Sequence, residues 1–127
     1  MRLRTILSES PIFQVEKIDK PWGYELIWAR SNQYVGKILF VLAGHSLSLQ
    51  YHRIKEEHII VESGECTIEC GHDEKSLMVI PIQPGQVIHL SPGMLHRISA
   101  KTDCRLYEVS TPQLDDVVRL KDQYGRT

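Results

Sequence analysis

Four side chains with metal-binding donor atoms occur in two parts of the sequence. Gln50 and His52 are separated by one residue, Glu57 follows after a short turn, and His96 comes from a later hairpin. Because side chains alternate between the two faces of a β-strand, Gln50 and His52 point in the same direction. Two imidazoles, a carboxylate and an amide oxygen can hold a divalent first-row metal and leave a position open for water or substrate. We therefore predict a metal centre whose ligands are Gln50, His52, Glu57 and His96.

The segments that must position these ligands have the pattern of short β-strands. Apolar and polar residues alternate along 46–52 and 65–70, and the apolar segments 38–43 and 77–82 have the length of a strand. Glycine- and proline-containing turns recur at intervals of ~8–12 residues, which is typical of a β-sandwich or β-barrel. We predict an all-β fold in which the segment 114–120 forms either a short helix or a last edge strand.

The composition limits the class of protein. A chain of 127 residues has the size of one domain, since domains typically contain ~100–200 residues. Its 15 Lys and Arg against 16 Asp and Glu give a net charge of -1, which argues against a nucleic-acid module that binds through a strongly basic surface. We expect no signal peptide, because the first residues are basic without an apolar segment after them, and no membrane span, because no apolar stretch approaches ~18 residues. With three cysteines and no secretory signal, the chain is expected to be reduced and cytoplasmic.

The cysteines and the remaining histidines are expected to be structural. Cys66 and Cys70 are four residues apart on one predicted strand, roughly 13 Å, which is too far for a disulfide bond. With Ile68 they form an apolar row toward the interior, whereas Cys104 lies near a polar turn and could be exposed. The histidines for which no partner is expected are His45, His72 and His89.

The spacing of the predicted ligands resembles the two sequence motifs of the cupin superfamily. The residues that match the first motif are Gly44, Gln50, His52, Glu57 and Gly64. The residues that match the second motif are Gly85, Pro92, Gly93 and His96. Gln50 stands where the first motif usually has a histidine, and Ser91 stands where the second usually has a proline. The resemblance implies a single cupin barrel, a double-stranded β-helix of the jelly-roll type, at residues 20–127, with residues 1–19 as an N-terminal arm.

Three further segments resemble the cupin domain of type II mannose-6-phosphate isomerases. They are Lys-Pro-Trp-Gly at 20–23, Ser-Leu-Gln-Tyr-His at 48–52 and Asp-Gln-Tyr-Gly-Arg at 122–126. In that family the domain is often fused behind a sugar-1-phosphate guanylyltransferase, and it also occurs alone. The resemblance implies an enzyme that interconverts mannose 6-phosphate and fructose 6-phosphate by moving a proton between C1 and C2 through an enediol. A divalent metal (Zn, Mn, Fe, Co or Ni) would polarise the carbonyl.

The resemblance also implies a set of basic residues around a sugar phosphate. Lys37, Lys55 and Arg97 are candidates for binding the phosphate. Arg119 and Arg126 lie in segments that match the family, and we predict catalytic roles for them and for His58. The proton-transferring base is left open between His58, Glu108 and a metal-bound water.

Two other functions stay open at this point. Fewer imidazoles follow His52 than is usual in the family, which favours a non-catalytic, metal-containing cupin that binds a sugar phosphate or a sugar nucleotide. A cupin oxygenase is a second alternative, against which the amide at Gln50 counts, because oxygenase ligands are usually richer in histidine. Small antiparallel barrels often cover their sheet edges with a second chain, so we expect a homodimer with no nucleic-acid or membrane partner.

Overall fold

The computed structural model describes residues 10–127, and within this range the chain forms β-strands and no α-helix. The strands are β1 (Glu16–Lys20), β2 (Gly23–Arg30), β3 (Val35–Val41), β4 (Leu49–Tyr51), β5 (Glu57–Ser63), β6 (Cys66–Gly71), β7 (Met78–Ile82), β8 (Val87–Leu90), β9 (Leu95–Ala100), β10 (Cys104–Ser110) and β11 (Val118–Lys121). A short 3-10 turn at Glu74–Ser76 connects β6 to β7. The predicted all-β fold is confirmed.

The strands pair into two antiparallel sheets that enclose the interior. The six-stranded sheet has the order β1-β2-β3-β10-β5-β8, and the five-stranded sheet has the order β11-β4-β9-β6-β7. Strands from distant parts of the chain are neighbours in both sheets, as where β3 pairs with β10 and β4 pairs with β9. This pairing brings the first and second halves of the sequence to one end of the barrel, as a jelly roll requires.

The interior changes from apolar to polar along the length of the barrel. The inward-facing residues of β5 are Val61 and Ile59 toward the apolar end of the barrel and Glu57 toward the polar end. All three are buried. The same change occurs on the neighbouring strands, at Leu39 and Lys37 of β3, Leu106 and Glu108 of β10, and Ile98 and His96 of β9. Each buried aliphatic side chain stabilises the fold by about 1.5–3 kcal/mol. Buried charges cost free energy unless they are paired or bind something, so the polar end is where a functional site is expected.

A β-bulge in β2 changes which side chains reach this polar end. Ile27 lies opposite Lys37, but Ala29 lies opposite Gly36, so Trp28 is an extra residue in the strand. The extra residue shifts the alternation that follows it, and Arg30 lines the interior cavity. Gly36 makes room for the bulge, because a Cβ atom there would lie 2.8 Å from two atoms of the Trp28 ring.

Several local predictions can be compared with the fold. The undecided segment 114–120 ends in strand β11, which pairs with β4 at the edge of the five-stranded sheet. Cys66 and Ile68 are buried and Cys70 is half-buried, as predicted. The expectation of an exposed Cys104 is wrong: it faces inward at the start of β10, is 3% exposed, and donates a hydrogen bond to the Glu65 carbonyl.

The N-terminal part of the chain joins the barrel earlier than residue 20. Strand β1 begins at Glu16 and pairs along its full length with β2. The remainder of the predicted arm, residues 1–9, lies outside the described residues. The boundary at residue 20 stays a prediction. No helix among residues 10–127 is long and apolar enough to cross a membrane.

Candidate metal centre

Three of the four predicted metal ligands meet at the polar end of the barrel. His52 follows β4, Glu57 begins β5 and His96 lies in β9. One donor atom from each of the three residues lies within 4.8 Å of the other two. Glu57 Oε1 is 3.6 Å from His52 Nε2 and 3.5 Å from His96 Nε2. All three side chains are buried, so this is a compact group of nitrogen and oxygen donors shielded from bulk water.

Both imidazoles are oriented by backbone carbonyls. His52 Nδ1 donates a hydrogen bond to the carbonyl of Asp116 at 2.5 Å, and His96 Nδ1 donates one to the carbonyl of Met94 at 3.0 Å. A carbonyl oxygen only accepts, so Nδ1 carries a proton in both rings, and in the neutral form of each ring Nε2 presents a lone pair. Neither Nε2 atom has a hydrogen-bond partner among the described residues, although both are buried. Two unpartnered lone pairs beside a carboxylate fit a divalent metal, whose ligand histidines are typically held in this way.

Gln50, the fourth predicted ligand, lies beside this group. It is paired with His96 between β4 and β9 and lines the same cavity. Its Oε1 atom accepts a hydrogen bond of 2.6 Å from the Ser48 hydroxyl, which fixes the orientation of the amide. An amide oxygen has a second lone pair, so this bond leaves Gln50 able to bind a metal, and its role as a ligand stays a prediction.

The three donor groups open onto a cavity of about 370 Å³. Its volume lies in the range of roughly 300–1,000 Å³ that is typical of small-molecule pockets. The basic residues in its wall are Lys20, Arg30, Lys37, Lys55, Arg119 and Arg126. The acidic residues are Glu25, Glu57, Glu108 and Asp115. The cavity therefore combines a donor group for a cation with positive charge that suits an anionic ligand.

Lys55 connects two of the buried carboxylates. Its Nζ atom lies 2.9 Å from Glu57 Oε2 and 3.2 Å from Glu108 Oε2. Burial acts to lower the pKa of Lys55, but attraction to Glu108 and Glu57 outweighs it and the pKa lies above its usual value. For Glu57, burial acts to raise the pKa, but contact with His52 and with Lys55 outweighs it and the pKa lies below its usual value. Lys55, which was predicted to bind the phosphate, is thus an ammonium ion that contacts two buried carboxylates.

Glu108 is the second carboxylate that contacts Lys55. It faces inward from β10 and is 5% exposed. Burial and, next, the negative charge of Glu57 raise its pKa above the ordinary value. In the part of the chain that the structure describes, its Oε2 atom has no hydrogen bond of good geometry. Glu108 is therefore a carboxyl group in the cavity wall that can exist with or without its proton.

Three more of the predicted basic residues line the cavity: Lys37, predicted to bind the phosphate, and Arg119 and Arg126, predicted to be catalytic. Lys37 is buried and lies 3.4 Å from Glu25 Oε1. Arg126 is held by Asp122 through Nε at 3.0 Å and Nη2 at 2.9 Å. Arg119 donates from Nη1 to the Thr127 carbonyl at 3.0 Å, and its buried Nε has no partner within residues 10–127. Arg119 therefore has a buried N–H donor that no other described residue accepts.

The structure does not bring Arg97 and His58 to the cavity. Arg97 follows the inward-facing His96, so it points to the outer face, where it pairs with Glu69 at 2.9 Å. His58 follows Glu57 and is exposed on the outer face, where its ring stacks on that of His89 at 4.3 Å between centroids. Alternation along β9 and β5 is the reason in both cases.

Two histidines expected to lack partners have them. His45 Nδ1 forms a hydrogen bond of 2.7 Å with the hydroxyl of Tyr124, and His89 Nε2 pairs with Glu56 Oε2 at 2.5 Å. Both expectations are wrong because the partners come from distant parts of the sequence. The bond to Tyr124 fastens the C-terminal segment that carries Arg126 to the barrel.

Three charged residues that were not predicted for the site, Lys20, Glu25 and Arg30, also line the cavity. Glu25 lies opposite Leu39 on β3, an inward-facing position, and Lys20 Nζ is 4.0 Å from Glu25 Oε1. Because β3 lies inside the six-stranded sheet and pairs with β2, alternation along 23–27 places Glu25 on the inward face of β2. Arg30 follows the bulge at Trp28, for which the sequence carries no signal.

One protein family matches almost the whole chain. The family described as mannose-6-phosphate isomerase C-terminal matches residues 9–122. Xanthan biosynthesis protein XanB of Xanthomonas campestris pv. campestris is 33% identical over 117 residues. Mannose-1-phosphate guanylyltransferase of Escherichia coli (strain K12) is 33% identical over 116 residues. The alignments cover 87% of this chain but 24% and 23% of the two relatives, so the chain spans about a quarter of their length.

Solved structures with the same fold have low sequence identity to the chain. Capsular polysaccharide assembling protein CapF of Staphylococcus aureus superimposes with a TM-score of 0.71 at 16% identity, over 90% of this chain and 36% of CapF. Oxalate decarboxylase OxdC of Bacillus subtilis, a protein with Mn(II) centres, gives a TM-score of 0.70 at 18% identity, over 83% of this chain and 30% of OxdC. These likenesses confirm the predicted cupin barrel.

Proposed function

Since this chain belongs to the mannose-6-phosphate isomerase C-terminal family, we propose that it is a metal-dependent isomerase that interconverts mannose 6-phosphate and fructose 6-phosphate. The observation that carries the proposal is that the Nε2 atoms of His52 and His96 face Glu57 in a cavity lined with basic residues and have no hydrogen-bond partner within residues 10–127. This arrangement offers one place for a metal ion and another for an anionic sugar.

The metal would be held by His52, Glu57 and His96, with Gln50 as a fourth ligand. A set of imidazole, carboxylate and amide donors suits Zn, Mn, Fe, Co or Ni, and Mn is the first to test because OxdC has Mn(II) centres. When bound, the metal polarises the sugar carbonyl and stabilises the negative charge that develops on its oxygen. Contact with His52 and with Lys55 holds the pKa of Glu57 below its usual value, and Lys55 binds the oxygen that does not face the imidazoles.

Basic residues in the cavity wall would bind the phosphate. Arg119 has an Nε–H donor without a partner in the described chain, and Asp122 holds the Arg126 guanidinium in one orientation. A guanidinium can bind two phosphate oxygens at once, which fixes the orientation of the sugar as well as its position. Lys37 and Arg30 add positive charge to the same cavity.

Glu108 would move the proton. Its position in the cavity wall supports this role over His58, which lies on the outer face. The Glu108 carboxylate accepts the proton from C2 of mannose 6-phosphate, the electrons of that C–H bond form the C1–C2 double bond, and the negative charge moves to the oxygen on C1. The carboxylic acid then returns the proton to C1, while the proton of the C2 hydroxyl passes to the oxygen on C1 and C2 becomes the carbonyl, so that atoms and charge balance. A carboxyl group with a raised pKa is suited to accepting and returning a proton.

A coupled assay tests the proposal. The purified chain, loaded in turn with Mn²⁺, Co²⁺, Zn²⁺, Ni²⁺ or Fe²⁺, is supplied with mannose 6-phosphate, and fructose 6-phosphate is measured. We expect turnover that EDTA abolishes and added metal restores. Absence of turnover with every metal would overturn the isomerase proposal.

The non-catalytic alternative has a specific observation in its favour. Two of the cations proposed to bind the phosphate are already paired with carboxylates: Lys37 with Glu25, and Arg126 with Asp122. Thermal stabilisation by sugar phosphates or sugar nucleotides without any turnover would support a binding protein. Uptake of oxygen with a small substrate would support the oxygenase alternative, which no contact in the cavity favours.

The homodimer remains part of the proposal. The edge strand β7 is exposed and apolar, with Met78 at 61% and Val79 at 65% exposure. A second copy of the chain that covers this edge would remove both side chains from water. Light scattering after size-exclusion chromatography should give the mass of two chains, and the mass of one chain would contradict it.

A further inference from the structure

The segment that follows β10 crosses the end of the barrel and contacts the loop that carries the metal ligands. We call residues 111–117 the strap and residues 52–56, between β4 and β5, the ligand loop. The strap residues Leu114, Asp115 and Val117 line the cavity. The strap therefore forms part of the cavity wall as well as touching the ligand loop.

Asp116 contributes most of the contacts between the strap and the ligand loop. Its Oδ1 atom accepts a hydrogen bond from the amide of Arg53 at 3.1 Å. Its Oδ2 atom accepts bonds from the amides of Ile54 at 2.7 Å and Lys55 at 3.0 Å. Three successive amides that converge on one carboxylate form a concave anion-binding site, which Asp116 fills from within the chain.

The strap satisfies the next amide of the loop as well. Glu56 donates its amide proton to the Thr111 hydroxyl at 3.0 Å, and Thr111 donates its own amide proton to the Glu56 carbonyl at 3.0 Å. The four amides from 53 to 56 are thus bonded to the strap and not to a neighbouring strand. A loop without ladder hydrogen bonds depends on such contacts for a single conformation.

The ligand loop joins His52 directly to Glu57, so its conformation sets the distance between these two donors. Asp116 also contacts His52 itself, because its carbonyl accepts the hydrogen bond from Nδ1. We propose that Asp116 is a positioning residue for the metal centre: its carboxylate holds the ligand loop and its carbonyl orients the His52 ring. This inference rests on the metal centre of the proposed function and adds the C-terminal strap to it.

The side chain of Asp116 can be changed without removing its carbonyl. Asp116→Ala removes the acceptor of three amides, and Asp116→Asn keeps the size of the side chain while replacing one acceptor oxygen by a donor. We expect either change to weaken metal binding by about 10- to 100-fold, which is typical for residues that orient ligands. Thr111→Val removes one hydroxyl contact and should give a smaller loss, and Thr111→Ser should retain wild-type affinity.

Asp103→Asn is the matched control. Asp103 also accepts a hydrogen bond from a backbone amide, that of Ala43 at 2.8 Å, but it precedes β10 at the apolar end of the barrel. Its replacement removes a charged acceptor of the same kind far from the ligands. We expect it to leave metal affinity unchanged even where it lowers the melting temperature.

Titration with Co²⁺, followed by its d–d absorption, measures affinity and ligand geometry together. The inference predicts weaker binding and altered band positions for Asp116→Asn, in protein whose circular dichroism is that of the folded wild type. Wild-type affinity with unchanged bands in that variant would overturn the inference. If the wild type itself binds no Co²⁺, Mn²⁺ or Zn²⁺, the metal centre of the proposed function fails and this inference fails with it. Should Asp116→Ala not fold, Asp116→Asn and Thr111→Val decide the result.

Discussion

The two oxygens of the Glu57 carboxylate face different partners: Oε2 lies 2.9 Å from Lys55 Nζ, while Oε1 lies 3.6 Å from His52 Nε2 and 3.5 Å from His96 Nε2. One oxygen is held by a buried cation and the other faces the donors of the metal centre. This explains how a buried carboxylate stays ionised in a polar cavity. It also means that Lys55 acts on the site through Glu57 and Glu108.

Lys55→Met should destabilise the protein substantially. The change leaves Glu57 and Glu108 as two buried carboxylates without their shared cation. Breaking a buried ion pair from one side typically costs about 3–5 kcal/mol. Urea denaturation of the metal-free protein at pH 7 measures the free energy of unfolding.

Lys101→Met is the control for this change. Lys101 pairs with Glu65 at 3.7 Å, and its side chain is 81% exposed. Surface ion pairs contribute about 0–1 kcal/mol, so this variant should stay close to the wild type. Equal losses of stability in both variants would contradict the role assigned to Lys55.

Glu108→Gln should abolish proton transfer while leaving the metal in place. Glutamine keeps the shape of the side chain but cannot accept and return a proton. Loss of a general base typically lowers turnover by about 10²–10⁴-fold. The coupled assay gives turnover, and incorporation of deuterium from D₂O into the product reports the exchange of the transferred proton with solvent.

Glu69→Gln provides the comparison, because Glu69 pairs with Arg97 on the outer face. Its turnover should match the wild type. A Glu108→Gln variant that keeps more than a tenth of wild-type turnover with full metal content would exclude Glu108 as the proton carrier.

Asp122→Asn should lower stability in a pH-dependent way. The pKa of Asp122 is held at about 2 by hydrogen bonds from Arg126, below the value of about 3.9 in an unfolded chain. The carboxylate therefore stabilises the folded state above pH about 4, and this contribution is lost as the pH falls toward 2. At pH 7 we expect the variant to be less stable by about 1–3 kcal/mol.

Urea denaturation between pH 7 and pH 3 checks the sign of this effect. The difference between the wild type and Asp122→Asn should narrow as the pH falls below about 4. Asp19→Asn is the control, since Asp19 is 87% exposed and contacts Lys17 at 3.8 Å. A difference that is the same at every pH would show that the ion pair with Arg126 is not the cause.

Gly64→Ala should cost more stability than Gly85→Ala. Both glycines have a positive φ, 94° and 89°, which strains any other residue by about 1–2 kcal/mol. A Cβ atom at Gly64 would also lie 2.3 Å from the Asp103 carbonyl oxygen, whereas one at Gly85 meets no atom within 4 Å. Thermal denaturation should give a clearly lower melting temperature for Gly64→Ala than for Gly85→Ala. Equal melting temperatures would contradict the tight packing of the β5–β6 turn.

Much of the fold was predictable because the chain alternates with period two. A strand with one buried face must alternate apolar and polar residues, so the alternation along 46–52 and 65–70 predicts two strands. The same rule predicts that Gln50 and His52 share a face, but bringing Glu57 and His96 beside His52 depends on how distant strands pair, and that was indicated by the match to the two cupin motifs. Segment 114–120 was undecidable because its strand, Val118–Lys121, has four residues and no buried side chain.

The parts of the site that were missed depend on contacts between distant segments. Arg30 reaches the cavity only because Trp28 forms a bulge over Gly36. Asp116 accepts hydrogen bonds from backbone amides about 60 positions earlier in the sequence, and no local sequence pattern predicts such a contact. Arg97 failed to reach the cavity because a residue adjacent to an inward-facing ligand on a strand must face outward.

Metal content of the purified protein tests the central claim most directly. Elemental analysis after incubation with Mn²⁺, Co²⁺ or Zn²⁺ and removal of free metal should find close to one ion per chain in the wild type. His72→Ala, which removes an exposed imidazole from the turn after β6, should match it, and His52→Ala should lose most of the metal. Full metal content in His52→Ala would contradict the assignment of the centre to His52, Glu57 and His96.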